Sequence, residues 1–298
     1  MSSSSDTRVV AGAALAGVAV VAFVVHKVRE HQLASQRAAL IKSTEPLLTE
    51  GEQAVAAGAA EPPILTSDVA LNLADIRKRL NAATSARSSP ARLVAVSKTK
   101  PIEMLLEAYA AGQRDFGENY VQELVGKAPQ MPADVHWHFI GGLQSNKAKE
   151  LVKGAGPGLV CVETVDSSKL ADKLHAAVAS LKRAPLDVLI QVNTSPWEGS
   201  KNGVLAEDVP ALADHIRGAC PKLRLGGLMT IGAPGEPKCF IALVECREHL
   251  AAHLNVPAAS LVLSMGMSND FEQAIACGSD SVRVGSSVFG KRDYPAQR

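Results

Sequence analysis

Lys98 is the residue of this sequence whose setting points most directly to chemistry. It lies in RLVAVSKTKP at residues 92–101, where a short apolar run with β-branched residues ends before Pro101. This pattern predicts a strand followed by a loop, and the loops that follow parallel strands carry the sites of α/β folds. A desolvated lysine amine at such a position can form an imine with an aldehyde. A solvated basic turn is the simpler interpretation of this stretch taken alone.

Two stretches of small residues near the carboxyl terminus have the features of a phosphate site. They are SMGMS at residues 264–268, which precedes a predicted helix at Asp270, and GSS at residues 285–287. Backbone N–H groups beside small residues, serine hydroxyls and helix N-termini all favour an anion. Either stretch alone is also typical of an ordinary turn. Both follow the last two predicted strands, where phosphate sites recur in barrels, and together they favour a phosphate.

Arg283 is a charge within the apolar sequence VRV, and the two-residue period of a strand turns its side chain inward. A buried arginine needs an acidic partner or a ligand. A lysine able to form an imine, a phosphate site and an inward arginine together suggest pyridoxal 5′-phosphate as a cofactor.

Other titratable residues have plainer interpretations. His136 and His138 share one face of a strand, as a metal pair does, but no third ligand has suitable spacing, so we predict structural histidines and no metal site. Glu118 and Asp270 could act as acids or bases, yet both are better explained as helix-start residues. The 5 cysteines include no CxxC pair and are predicted to be reduced and mostly buried.

The elements that must position these residues form a regular alternation from residue 67 onward. Ser67 is predicted to cap a helix with Val69, Leu71, Leu73, Ile76 and Leu80 as its apolar positions. Eight strands separated by seven helices follow, with strands at residues 92–97, 115–119, 135–140, 159–165, 186–193, 223–231, 261–265 and 281–285. This is the pattern of a single (β/α)₈ TIM barrel. An open doubly wound sheet is the alternative, but no GxGxxG follows the first strand.

The carboxyl ends of these strands are expected to gather polar residues at one mouth. The set comprises Lys98, Asn119, His138, Asn193, Met229, residues 264–268 and residues 283–286. The chain has 298 residues and a net charge of +1, from 31 basic and 30 acidic side chains, which gives no electrostatic reason to expect nucleic-acid binding.

The N-terminal region has a different composition from the rest of the chain. After a short segment at residues 1–8, residues 9–25 contain only Val, Ala, Gly, Leu and Phe, and a spanning helix needs roughly 17–25 such residues. Basic residues are in excess after this run, so we predict a transmembrane anchor with the barrel facing the cytosol. A signal peptide or a mitochondrial presequence fits less well. Residues 26–66 are interpreted as a tether and residues 67–298 as the barrel; the identity of the membrane is left open.

Several motifs, taken in order, resemble one known family. They are AVSKTKP at residues 95–101, FGENYVQE at 116–123, HFIGGLQSNK at 138–147, VNTS at 192–195 with SKNG at 200–203, LSMGMS at 263–268 and VRVGSSVFG at 282–290. This set resembles the pyridoxal phosphate homeostasis proteins, single barrels similar to the N-terminal domain of alanine racemase. The likeness extends over residues 67–294 and excludes the predicted anchor and tether.

The resemblance implies a role for each matching residue. Lys98 would hold pyridoxal phosphate as an internal aldimine, and Arg283 would face the pyridine nitrogen. The phosphate site would comprise Ser264, Ser268, Gly285 and Ser286, and residues near the ring would be Asn119, His138 and Met229. Residue 286 is a serine where the family often has threonine, which keeps the hydroxyl.

This arrangement favours a cofactor carrier in intracellular pyridoxal phosphate homeostasis over an enzyme. An arginine cannot give the ring nitrogen the proton that carbanion chemistry uses. The chain also ends soon after the eighth strand, so the domain that supplies racemases with a second base is expected to be missing. A racemase or lyase is the alternative, and a tethered protein that has lost the cofactor is a third hypothesis. Expected partners are apo-enzymes that receive the cofactor; the chain itself would be a monomer or weak dimer.

Overall fold

The computed structural model describes residues 67–85, 87, 90–195, 197, 202–233 and 235–291. The predicted anchor at residues 9–25 and tether at residues 26–66 lie outside these residues. Among the helices of the described part, we find none with the length and apolar character needed to span a bilayer.

Eight parallel strands form one closed barrel, in which each strand pairs with its sequence neighbours and β8 pairs with β1. The (β/α)₈ prediction is confirmed. The strands are β1 Arg92–Val96, β2 Asp115–Glu118, β3 His136–Phe139, β4 Leu159–Val165, β5 Leu186–Gln191, β6 Leu223–Met229, β7 Val262–Ser264 and β8 Ser281–Val284.

The helices of the described part surround the barrel. They are α1 Asp68–Thr84, α2 Ile102–Ala110, α3 Val121–Lys127, α4 Ala148–Ala155, α5 Ser168–Ser180, α6 Val209–Ala219, α7 Lys238–Leu254, α8 Phe271–Ala276 and α9 Ser286–Phe289. As predicted, Ser67 caps α1, because its hydroxyl accepts a hydrogen bond from the Ala70 amide at 3.2 Å. The short helix α9 was not predicted, since four residues are too few to show a helical period.

Alternation along each strand separates two environments. Val282 and Val284 on β8 are buried in the apolar layer between the barrel and the helices, where each such side chain contributes about 1.5–3 kcal/mol. Arg283, between them, points into the barrel and reaches groups on or just after β6 and β7. The inward orientation predicted for this arginine is therefore confirmed, and the same rule places the functional side chains of the other strands.

Two local predictions are wrong for identifiable reasons. Leu71 was assigned to the apolar face of α1 but is 52% exposed, because it lies about 200° around the helix from Val69, away from the 69–73–76–80 stripe. Glu118 was interpreted as a helix-start residue, yet it is the last residue of β2 and is fully buried. Asp270 does occupy the N-cap position of α8, as predicted.

The cysteines of the structure are all free thiols, and four of them are buried. Cys239 and Cys246 both lie on the buried face of α7. Both observations agree with the prediction of reduced thiols that serve in packing.

Candidate functional site

A cavity of about 650 Å³ opens at the carboxyl ends of β1, β7 and β8. Among the residues that line it are three cationic side chains, from Lys98, Lys100 and Arg283, and one carboxylate, from Asp270. This balance favours an anionic ligand. The remaining lining residues are Val96, Gly235, Met267, Ser268, Asn269, Gln273, Gly285, Ser286 and Gly290.

Lys98 reaches this cavity because the alternation of β1 continues past its last residue. Val96 and Lys98 both line the cavity, whereas Ser97 between them is buried on the opposite side, with its hydroxyl 2.7 Å from Glu118. Lys98 itself is only partly exposed, at the edge between the barrel interior and the mouth. This is the partial desolvation that imine chemistry of a lysine requires.

Two loops on the other side of the cavity bring together the predicted phosphate residues. The amide of Gly285 donates to the hydroxyl of Ser268 at 3.2 Å, which ties the loop after β8 to the loop after β7. A Cβ at residue 285 would lie 3.3 Å from the Val96 carbonyl oxygen, so the backbone approach here suits glycine. Asp270 holds the first of these loops by accepting from the Met267 amide at 2.6 Å.

Arg283 forms part of the cavity floor and is only 5% exposed. Its guanidinium donates to the Ser264 hydroxyl at 2.5 Å and to the Thr230 carbonyl at 2.7 Å. Burial lowers the pKa of Arg283, and the nearby carboxylates of Glu163 and Asp270 oppose this effect. An arginine remains charged under such conditions, so the floor of the cavity presents a fixed cation.

A chain of polar contacts continues from Arg283 down the barrel interior. Ser264 donates to Glu163 at 2.6 Å, and the other oxygen of Glu163 lies 2.8 Å from His138 Nδ1. The second ring nitrogen of His138 lies 3.2 Å from Asp115, at the amino end of the barrel. The chain therefore runs Arg283–Ser264–Glu163–His138–Asp115.

The contacts of His138 favour its positively charged form. Each of its ring nitrogens faces a carboxylate oxygen, and only the doubly protonated imidazolium donates at both positions. Burial works against this charge, but hydrogen bonds with Asp115, Cys161 and Glu163 hold the pKa of His138 well above its usual value. Burial would likewise raise the pKa of Glu163, but His138 and then Arg283 lower it.

Five of the nine predicted site residues line the one cavity: Lys98, Ser268, Arg283, Gly285 and Ser286. Their contacts with a cofactor remain predictions, but the structure does place them together.

The other four lie elsewhere, and this corrects the expectation of a single gathering at the mouth. The Ser264 hydroxyl lies between Glu163 and Arg283, and its contact with a phosphate stays a prediction. His138 belongs to the interior chain, and Met229 is fully buried inside the barrel with Cys161 and Leu189. Asn119 lines a separate cavity of about 250 Å³ beside α3. The physical reason is the inward turn of these strand residues, which fill the barrel below its mouth.

Sequence reasoning missed the buried carboxylate Glu163. Its signal was present, because Glu163 interrupts the apolar sequence LVCVETV of β4 much as Arg283 interrupts VRV. It also missed the contact between Glu118 and Lys127, which are 2.7 Å apart behind β1. The sequence carries no signal for this second pair, because it depends on how α3 lies against the barrel.

Comparison with known proteins places the chain among close relatives. The family model "Alanine racemase, N-terminal domain" matches residues 71–293. The pyridoxal phosphate homeostasis protein of Mus musculus is 45% identical over 240 residues, covering 76% of this chain and 86% of the mouse protein. The homologue of the same name from Pseudomonas aeruginosa is 44% identical over 238 residues, covering 77% and 98%. The structure of PipY from Synechococcus elongatus PCC7942, solved with PLP bound, superposes with a TM-score of 0.63 at 33% identity, covering 74% and 100%.

Proposed function

This chain belongs to the family of pyridoxal phosphate homeostasis proteins, within the wider alanine racemase N-terminal domain family, and from that premise we propose that it binds pyridoxal 5′-phosphate and acts in intracellular pyridoxal phosphate homeostasis. The observation that carries the proposal is the single cavity lined by Lys98, Arg283 and the loop containing Gly285 and Ser286. The likeness to a PipY structure that holds PLP supports the same ligand.

The residues of the cavity fit the functional groups of this cofactor. Lys98 is the amine for the aldehyde, and it would hold the cofactor as a Schiff base. Ser268, Gly285 and Ser286 supply hydroxyl and backbone donors for the phosphate, with Lys100 adding charge to the same cavity. The volume of about 650 Å³ falls within the range of about 300–1,000 Å³ typical of small-molecule sites.

Arg283 favours storage over catalysis. When bound, the cofactor supplies an electron sink, and that sink is strongest when its ring nitrogen is protonated by an acidic partner. Arg283 keeps its own proton and accepts none, and Ser264 and the Thr230 carbonyl hold its guanidinium in place. A carrier that masks the reactive aldehyde and later transfers it to an apo-enzyme needs binding without turnover.

A racemase or lyase is the second candidate, since the family model takes its name from alanine racemase. Such an enzyme needs a second acid or base near Lys98, for which tyrosine is the usual choice. In the described part of the chain, the Tyr109 hydroxyl donates to Asp134 on the outer surface, and Tyr120 lines the separate cavity beside Asn119. Neither lines the Lys98 cavity, so we favour little or no turnover; assays with amino-acid substrates distinguish the two candidates.

Absorption spectroscopy with covalent trapping tests the proposal. The purified protein with pyridoxal phosphate should show a visible imine band, and borohydride reduction should leave a pyridoxyl group on the peptide containing Lys98. Lys98→Ala should lose both signals. Lys100 lines the same cavity, so labelling that moves to Lys100 or spreads over surface lysines would count against a specific site. A protein that takes up no cofactor would rule out both the carrier and the enzyme.

We also propose that residues 9–25 anchor the chain in a membrane with the barrel in the cytosol. Their unbroken apolar composition and the basic residues that follow support this. Carbonate extraction of membranes, combined with protease protection, tests both the insertion and the orientation. A full-length chain recovered in the soluble fraction would contradict the anchor. We further propose that apo-enzymes receive the cofactor from this protein, and that the protein itself is a monomer or a weak dimer.

A further inference from the structure

A group of charged and polar residues, of which Ser97 and Glu118 are fully buried, lies directly behind the loop that carries Lys98. We call it the Lys127 cluster; it consists of Ser97, Glu118, Glu123 and Lys127. Lys127, at the end of α3, donates from its ammonium group to the Ser97 carbonyl at 2.9 Å, to Glu118 at 2.7 Å and to Glu123 at 2.8 Å. Its side chain is only 11% exposed, and Glu118 is fully buried.

This cluster holds the chain on both sides of Lys98. Before it, the Ser97 hydroxyl donates to Glu118 at 2.7 Å and the Ser97 carbonyl accepts from Lys127. After it, the Thr99 amide donates to the carboxylate of Glu123 at 2.7 Å. Lys98 lies between these two fixed points, so the direction of its side chain depends on both.

The backbone at Thr99 shows that this conformation is held against its own preference. Thr99 has φ = 60°, in the left-handed region, which is disfavoured for β-branched residues. Two contacts hold this turn: the Lys100 amide donates to the Ser97 carbonyl at 3.1 Å, and the Thr99 amide donates to Glu123. The alternation of β1 directs Lys98 toward the cavity, and this turn fixes the backbone immediately after it.

The composition of the cluster favours a role in geometry over one in stability. A buried ion pair recovers little more than its desolvation cost, and apolar residues of similar volume often serve stability as well or better. Burial raises the pKa of Glu118, although Lys127 opposes this shift. One oxygen of Glu118 is buried without a hydrogen-bond partner in the described part of the chain. The contacts that these charges make with Ser97 and Thr99 therefore point to a role in the geometry of the loop.

We propose that Lys127 and Glu123 are positioning residues that orient Lys98 for covalent capture of the cofactor aldehyde. This rests on the proposed function. It also goes beyond it, because neither residue lines the cavity. A small displacement of a reacting amine can cost up to about 100-fold in rate, which sets the scale of the expected effect.

The first test needs no cofactor. Glu123→Ala removes the acceptor for the Thr99 amide, and Glu123, whose side chain is 28% exposed, is a site where truncation leaves the core intact. Hydrogen exchange of the Thr99 amide should become at least tenfold faster than in the wild type. The matched control is Glu150→Ala on α4, which breaks a lysine pair with Lys147 at 2.7 Å and leaves the acceptor of the Thr99 amide in place. Unchanged exchange in Glu123→Ala would show that Glu123 does not hold the Thr99 amide and would refute its positioning role.

The second test separates positioning from general damage. Pyridoxine 5′-phosphate has an alcohol in place of the aldehyde, so it reports binding to the phosphate loops and Arg283 without imine formation. In Glu123→Ala, its affinity should stay within twofold, whereas capture of pyridoxal phosphate, trapped on Lys98 by borohydride, should slow by about 10–100-fold. Glu123→Gln keeps an acceptor oxygen for Thr99 and should restore most of the rate.

Lys127→Met provides an independent variant, which should repeat this split between the two ligands. If the affinity for pyridoxine 5′-phosphate falls as much as the capture rate of pyridoxal phosphate in both variants, the cluster has only a structural role and the proposal is wrong. If the wild-type protein captures no pyridoxal phosphate, the proposed function fails along with the role in capture. The exchange experiment still judges the contact between Glu123 and Thr99 in that case.

Discussion

Glu163→Gln is the substitution that most directly tests the polar chain inside the barrel. The wild-type carboxylate is 1% exposed and lies 2.8 Å from His138 and 2.6 Å from the Ser264 hydroxyl, with Arg283 at 3.9 Å. Glutamine has nearly the same volume, so no cavity forms. Its amide N–H group must, however, face one of the two donors, and two buried cations lose their shared counter-charge.

The expected loss of unfolding free energy is about 3–5 kcal/mol, the range for breaking a buried ion pair by removing one partner. Part of this loss is recovered if His138 releases a proton, because a neutral ring nitrogen can accept from the new amide. The substitution should therefore also lower the pKa of His138, which gives the prediction a pH signature.

The sign of that signature follows from linkage. The pKa of His138 is higher in the folded wild type than in the unfolded chain, so its contribution is fully present below the unfolded value. It is lost as the pH rises toward the folded value, by up to about 1.4 kcal/mol per pH unit. The variant lacks most of this dependence. The difference between the two proteins should thus be largest near pH 6 and smaller near pH 9.

Urea unfolding at both pH values measures this difference, with equal m-values as the condition for comparing midpoints. Glu150→Gln is the control, since its exposed pair with Lys147 should contribute no more than about 1 kcal/mol. A loss in Glu163→Gln below about 1 kcal/mol, or one that is the same at pH 6 and pH 9, would refute the charge assignment of His138.

Three further substitutions test other parts of the structure. Ser268→Ala removes the acceptor for the Gly285 amide and should weaken cofactor binding by about tenfold, the scale of one hydrogen bond, in an equilibrium titration. Gly141→Ala would place a Cβ 2.0 Å from the Asn119 carbonyl oxygen, so thermal unfolding should show a loss of about 1–3 kcal/mol or more from overpacking. Leu73→Ala empties a fully buried position of α1 and should cost about 2–5 kcal/mol in the same assay.

Each of these measurements has a control in the same chain. Ser260→Ala on the outer surface should leave cofactor affinity unchanged, and Gly126→Ala has no atom within 4 Å of its new Cβ, so it should be tolerated. Leu71→Ala, on the exposed side of α1, should change stability by less than about 0.5 kcal/mol. Equal effects in a test variant and its control would contradict the packing described for that site.

The fold could be predicted because its determinants are local. The boundaries of β4 were predicted at residues 159–165 and are found at Leu159–Val165, since an apolar run between a glycine and a helix cap depends on neighbouring residues alone. The inward turn of Arg283 followed in the same way from the two-residue period of β8. Leu71 shows the limit of this reasoning, because identifying an apolar residue does not by itself assign it to a face.

The site could be predicted only in part. Lys98 and the residues after β8 follow strand ends, and a parallel barrel brings all strand ends to one mouth, so their proximity followed from topology. The depth of a side chain inside the barrel does not follow from topology. Ser264, His138 and Met229 were expected at the mouth but lie below it, because one residue along a strand moves a side chain about 3.3 Å along the strand and to the other face.

The sequence by itself determined the alternation of strands and helices, the lysine at the end of β1 and the arginine that turns inward on β8. These features depend on the order and periodicity of residues within about ten positions. Only the tertiary structure decided that Glu163 on β4 neutralises Arg283 on β8, and that Lys127 on α3 holds the loop of Lys98. The first contact requires the closed barrel, and the second requires the packing of α3 against β1 and β2. Closure and packing bring together charges that are distant in the chain, and no local pattern records which charges will meet.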